Sequence, residues 1–126
     1  MLSVATVATD RPQRYGKQLA AHMGRKLTAT WEGDSGSLDF HGGATVALQS
    51  TPGALVMTLE VADGEDVARF EHVVGIHLAR FGVKDGLEIR WIRDNGEVGT
   101  VQGPLTEEDL ARMAEERAKR KAAEAN

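Results

Sequence analysis

Four histidines, His22, His41, His72 and His77, are the only side chains of this sequence that titrate near neutral pH and could ligate a metal or act as a general base. There is no cysteine, which removes disulfides, thiolate zinc sites, cysteine nucleophiles and iron–sulfur clusters together. Any metal or redox role must therefore rest on imidazole and carboxylate. His72 and His77 are five residues apart, a spacing that sets the rings about 140° apart around a helix rather than side by side as in an i, i+4 zinc pair. His22 and His77 are linked differently. Sliding the chain on itself by 55 residues places Arg14 on Arg69, Tyr15 on Phe70, Leu19 on Val74 and His22 on His77. If the two helices lie antiparallel, each of these histidines falls beyond its helix midpoint, and an offset of roughly 14 Å along the axes follows from the helical rise. The pair is then not expected to share an ion. His41, beside Gly42 and Gly43, reads as an exposed turn residue, and His72 as a solvent-facing helical one.

The carboxylates are dispersed. Glu32, Asp39, Glu60 and Glu88 can gather with Thr28, Thr30, Thr58 and Arg90 on one face of a sheet, either as a solvated face with cross-strand pairs or as a polar surface that meets a ligand. No glycine-rich phosphate loop, GxSxG elbow or paired His/Asp motif occurs, so no catalytic residue is assigned.

The elements that must carry these residues follow from periodicity. LSVATVA is strand-like, and Thr9, Asp10 and Pro12 open a helix whose apolar positions Tyr15, Leu19, Ala20, Met23 and Leu27 recur three and four apart. LTATWE, SLDFH, ATVALQS and ALVMTLEVA, separated by short Gly-containing turns, read as an antiparallel meander. A second helix opens near Asp63 or Gly64 with the stripe Val67, Phe70, Val74, His77, Leu78 and Phe81, and ends at Gly82. LEIRWIR is a final strand. The expected fold is α+β, a two-layer sandwich of order β-α-β-β-β-β-α-β, ferredoxin-like or TBP-like, with both helices on one face of an antiparallel sheet. Residues 1–93 form this domain. Residues 94–126 read as a Gly-rich connector followed by a charged helix, opened by a capping box at Thr106.

The net charge of −4 is uneven: residues 1–93 hold 10 Lys/Arg and 11 Asp/Glu, and residues 94–126 hold 5 and 8. A nearly neutral body with an acidic tail lacks the basic stripe that duplex binding requires, so nucleic acid is not an expected partner. No run of 18 apolar residues exists, and the first residues carry no basic segment ahead of an apolar one. A cytoplasmic protein without a membrane span is expected.

The segments TVATDRPQRYGKQLAAHMGRK, GSLDF and VADGEDVARFEHVVGIHLARFGVKDGLEIRW, in that order, resemble a small bacterial family of unknown function, domain-of-unknown-function family 2218, over about residues 4–92. Arg14, Tyr15, Lys17, Gln18, Leu19 and His22 match the first helix motif. Asp39 and Phe40 match the strand, and Glu71, Val74, His77, Leu78, Arg80 and Phe81 are among the matches in the second helix. A similar domain accompanies siderophore-interacting ferric reductases, so the resemblance implies a role in iron handling.

Three functions remain open. The first is a non-catalytic accessory or binding domain whose surface includes His22, His77, Arg14, Lys17 and Tyr15; no resident cofactor is expected, and its ligand would be an iron chelate, haem or a protein partner. The second is a structural module forming a homodimer through open sheet faces or terminal helices. The third is an enzyme with a His base, which requires a carboxylate within reach of that histidine.

Overall fold

A computed structural model describes residues 1–125. The elements run β1 (Leu2–Ala8), α1 (Pro12–Met23), β2 (Thr28–Glu32), β3 (Ser35–Asp39), β4 (Ala44–Thr51), β5 (Ala54–Val61), α2 (Val67–Phe81), a single 3-10 turn (Val83–Asp85), β6 (Ile89–Arg93), β7 (Val98–Gln102) and α3 (Glu107–Ala125). The class is α+β: seven strands form one antiparallel sheet in the order β2-β3-β4-β5-β1-β6-β7. The strands that lead into α1 and α2, β1 and β5, are central neighbours, paired from Leu2 with Glu60 to Ala8 with Ala54.

Alternation decides which face is covered. Ala5 and Val7 of β1, Val46 and Leu48 of β4, Leu55, Met57 and Leu59 of β5, and Ile89 and Trp91 of β6 are buried under the helices. Leu19 and Met23 of α1 and Val74 and Leu78 of α2 meet them from above. The neighbours in sequence, such as Thr6, Thr45, Ala47 and Arg90, face away and are exposed. Gly16 lets α1 lie close: a Cβ there would stand 2.5 Å from the Trp31 ring. That contact offsets the roughly 1 kcal/mol a mid-helix glycine gives up in propensity.

Two local expectations are revised. The second helix begins at Val67, not near Asp63, because the Asp66 side chain caps it by accepting from the Arg69 amide. The stretch read as connector contains β7, which pairs with β6 from Ile89–Gln102 to Ile92–Val98 across a bulge. The capping box of α3 forms as expected, with Thr106 Oγ1 accepting from the Asp109 amide and Asp109 accepting from the Thr106 amide. No helix of the described residues is long and apolar enough to cross a membrane.

Candidate functional site

The two covering helices meet side by side, and their contacts descend in antiparallel order. Tyr15 of α1 donates its hydroxyl to Asp85, at 2.5 Å, just past α2. Two turns further along α1, the His22 ring lies 5.2 Å from the Phe81 ring, edge-on, and 5.0 Å from the His77 ring. The expected axial separation of the two histidines is thus overturned. It assumed that the helices align at their midpoints, whereas α1 is slid towards the C-terminal half of α2, so His22 and His77 fall opposite one another.

The two rings are held in different ways. His77 Nδ1 lies 2.6 Å from the Val73 carbonyl one turn back. A carbonyl can only accept, so Nδ1 carries a proton and donates to it. Burial holds the His22 imidazole below its ordinary pKa of 6.5, and the surrounding charges of His77, Arg25, Arg80 and Lys26 push it the same way. Those neighbours also repel a bare metal cation, and among the described residues no group of three or more His, Asp or Glu is placed to hold one.

Beside the histidines, a groove of about 340 Å³ opens along the same helix seam, lined by residues that include Arg11, Arg14, Tyr15, Phe81, Lys84 and Asp85. Asp85 is engaged by Tyr15, whose own pKa is raised, first by burial and then by that hydrogen bond. Three cations therefore face one occupied acid. Lys17 is not on this seam; with Arg14 and Trp31 it borders a separate depression against Gly33. The structure thus brings together His22, His77, Tyr15 and Arg14, and leaves Lys17 on the flank. His41 and His72 are exposed, His41 in a turn with φ of 57° and His72 on α2.

Under α2 lies a second polar cluster that reading by periodicity passes over. Glu71 is 0% exposed. Its carboxylate accepts from Ser3 Oγ at 2.6 Å, from Arg93 through Nε and Nη2 at 3.1 and 3.0 Å, and from the Thr100 amide and hydroxyl at 3.0 and 3.1 Å. Burial alone would raise this carboxyl, but the Arg93, Ser3 and Thr100 donors outweigh it and hold the group below the usual glutamate value. Thr100 Oγ1 also accepts from Gln102, whose amide oxygen accepts from Trp91 Nε1 at 2.8 Å. Every donor is a residue of the fold and the acid is closed to solvent, so this cluster ties β1, α2, β6 and β7 together and leaves no room for a ligand.

A family model described as an uncharacterized protein conserved in bacteria (DUF2218) matches residues 4–92. The chain belongs to that family. A solved structure, the NMR structure of PA4090 from Pseudomonas aeruginosa, is 31% identical and superposes with a TM-score of 0.58, over 71% of this chain and 93% of that one. No curated protein matches. The match contains both helices of the seam and both histidines, but ends ahead of β7 and α3.

Proposed function

We propose that the protein is a non-catalytic binding domain and that the α1–α2 seam, from Arg11 to His22 on one side and from His77 to Asp85 on the other, receives a small anionic ligand. The observation that carries this reading is the groove itself: Arg11, Arg14 and Lys84 surround it, Tyr15 and Phe81 supply ring surface, and the one acid is occupied. A binding rather than a catalytic role is supported by the histidines, since among the described residues no imidazole is hydrogen-bonded to a carboxylate that could orient it as a base. A negatively charged ferric chelate fits both this electrostatic character and the iron association that the family resemblance implies.

The test is a titration of isotope-labelled protein with a ferric tris-catecholate, which is strongly anionic, and with a neutral or cationic ferric hydroxamate, read by amide shifts. Saturable shifts at Tyr15, His22 and Phe81 with the first and not the second are expected. Removing two cations of the groove, Arg14→Ala with Lys84→Ala, should weaken binding about tenfold or more, the scale of lost charge-assisted contacts. Absence of saturable shifts with both chelates would sink the iron form of the reading.

A homodimer is a second reading, favoured by the uncovered sheet face. There Val4, Ile92 and Val98 form one cross-strand row through β1, β6 and β7. Leu2, Ile92, Val98 and Val101 are each at least 40% exposed, an apolar surface of the kind that mates with another.

A further inference from the structure

The last helix presents a face whose character changes along its length. Leu110, Met113, Arg117 and Arg120 are spaced three, four and three residues apart, one stripe of a helix. Leu110 and Met113 are the partly buried apolar residues of α3. The stripe that turns inward there continues into two arginines, and both lie close enough to Arg80 of α2 for their charges to act on its guanidinium. Arg80 itself has a buried Nε with no hydrogen-bond partner. The other charged pairs of α3 are Arg112 with Asp109 and Glu116, and Lys119 with Glu115. Arg117 and Arg120 have no ion-pair partner among the described residues.

Arg80 stands three residues after His77 on the same helix, and the His77 ring lies 5.0 Å from that of His22, whose surroundings also include the charges of Arg25 and Lys26. Cationic or protonatable side chains from three helices thus converge, and among the described residues neither His22 nor Arg80 forms an ion pair with a carboxylate. A chain with 19 acids could have placed one there and does not. Like charges held together destabilise a fold, and a buried charged donor without an acceptor costs more than a neutral one. Both penalties vanish if an external oxyanion accepts from the cluster, because its oxygens satisfy the guanidinium donors while its charge cancels the repulsion.

We propose that Arg80, the His22–His77 pair and the Arg117–Arg120 end of α3 form a site for a compact, multiply charged oxyanion, a phosphoryl group or a polycarboxylate, with α3 as the arm that closes on it. This deepens the seam reading by naming the charge class of the ligand and the element that secures it, and it rests on that reading only for its location. The anion bridges guanidinium groups that otherwise repel, so binding draws the α3 terminus onto α2.

The experiment is calorimetric titration of the full chain with inorganic pyrophosphate and, separately, citrate at low ionic strength, together with hydrogen exchange of the α3 amides. Saturable binding of at least one is expected, and which of the two binds distinguishes the phosphoryl from the carboxylate source. Bound anion should slow exchange in the second half of α3. The Arg117→Ala, Arg120→Ala double variant should lose about tenfold or more in affinity, on the scale of charge-assisted contacts. An Arg112→Ala, Lys119→Ala variant removes the same formal charge from the opposite side of the same helix and should bind nearly as well as the parent. No binding of either anion, or equal losses in the two double variants, overturns the proposal. Chelate binding that is unchanged by Arg117→Ala, Arg120→Ala would remove the arm and leave the seam standing; anion binding without any chelate binding would do the reverse.

Discussion

At the scale of single residues, Glu71 and His22 show two opposite ways of placing an ionisable group inside a fold. Glu71 is buried charged, because five donor contacts replace its water. Removing one member of such a buried pair costs about 3–5 kcal/mol, since the remaining charge is stranded. Glu71→Gln should therefore lower the urea midpoint sharply, with Arg93 left to face a neutral amide. The pH dependence has a fixed sign. The folded carboxyl lies below its ordinary value of 4.5, so its contribution is complete above that value and is lost as pH falls through the lowered folded one. Acid unfolding curves should show this loss in the parent and a flatter profile in Glu71→Gln. His22 works the other way, in that the fold favours its neutral ring. Its pKa lies below 6.5, so stability is full above pH 6.5 and declines as pH falls from there towards the lowered folded value. A ring titration by NMR that placed His22 at or above its ordinary value, with no ligand added, would contradict the cationic surroundings described for it.

At the scale of elements, the junction of α2 with β7 is set by absent side chains. A Cβ on Gly75 would lie 1.9 Å from Gln102 Oε1, and one on Gly99 would lie 2.4 Å from Glu71 Oε2. Gly75→Ala gains about 1 kcal/mol of helix propensity but must displace the amide that holds Trp91, and overpacking of this kind costs about 1–3 kcal/mol. A net loss of thermal stability is expected, with a changed Trp fluorescence spectrum as its signature. The strand that Gly99 belongs to is also where sequence reading fell short. VGTVQ is short, half polar and contains glycine, so it reads as connector; its half-buried Thr100 serves the acid of another element and its buried Gln102 serves Thr100 and Trp91, which no local pattern reveals. The Asn95-Gly96 pair just before it is the hairpin signal that does mark it. The other strands and the first two helices were legible because their apolar residues keep a period of two or of 3.6, and α3 because of its capping box and charged composition. Whether His22 and His77 meet was not legible, since periodicity gives a helix its face but not its slide along a neighbour. Arg80 was visible only as part of a motif, three residues after His77, with nothing local to show that its Nε would be enclosed.

At the scale of the molecule, charge is sorted by layer. Residues 11–26, which contain α1, carry five Lys/Arg and no acid, whereas residues 28–66, which contain β2 to β5, carry seven acids and no Lys/Arg. The small net charge of −4 therefore conceals a strong separation, and an anion is drawn to α1 rather than to the strands that follow it. The opposite, uncovered face offers the apolar row through Val4, Ile92 and Val98. If that face forms a homodimer, sedimentation of the parent at high concentration should show a dimer, and Ile92→Lys should return a monomer without loss of helix content. A parent that remains monomeric removes the dimer reading and leaves the seam unaffected.

The residues bound to Glu71 have a bearing on how the protein can be cut. The family match begins at residue 4 and ends at residue 92, while the donors to that acid are Ser3, Arg93 and Thr100. A fragment trimmed to the matched segment keeps the carboxylate and discards each of its partners. Such a piece should populate unfolded or aggregated forms by circular dichroism and light scattering, whereas one extended to residues 1–103 should fold. The smallest autonomous unit is thus expected to be wider at both ends than the segment that the family model matches.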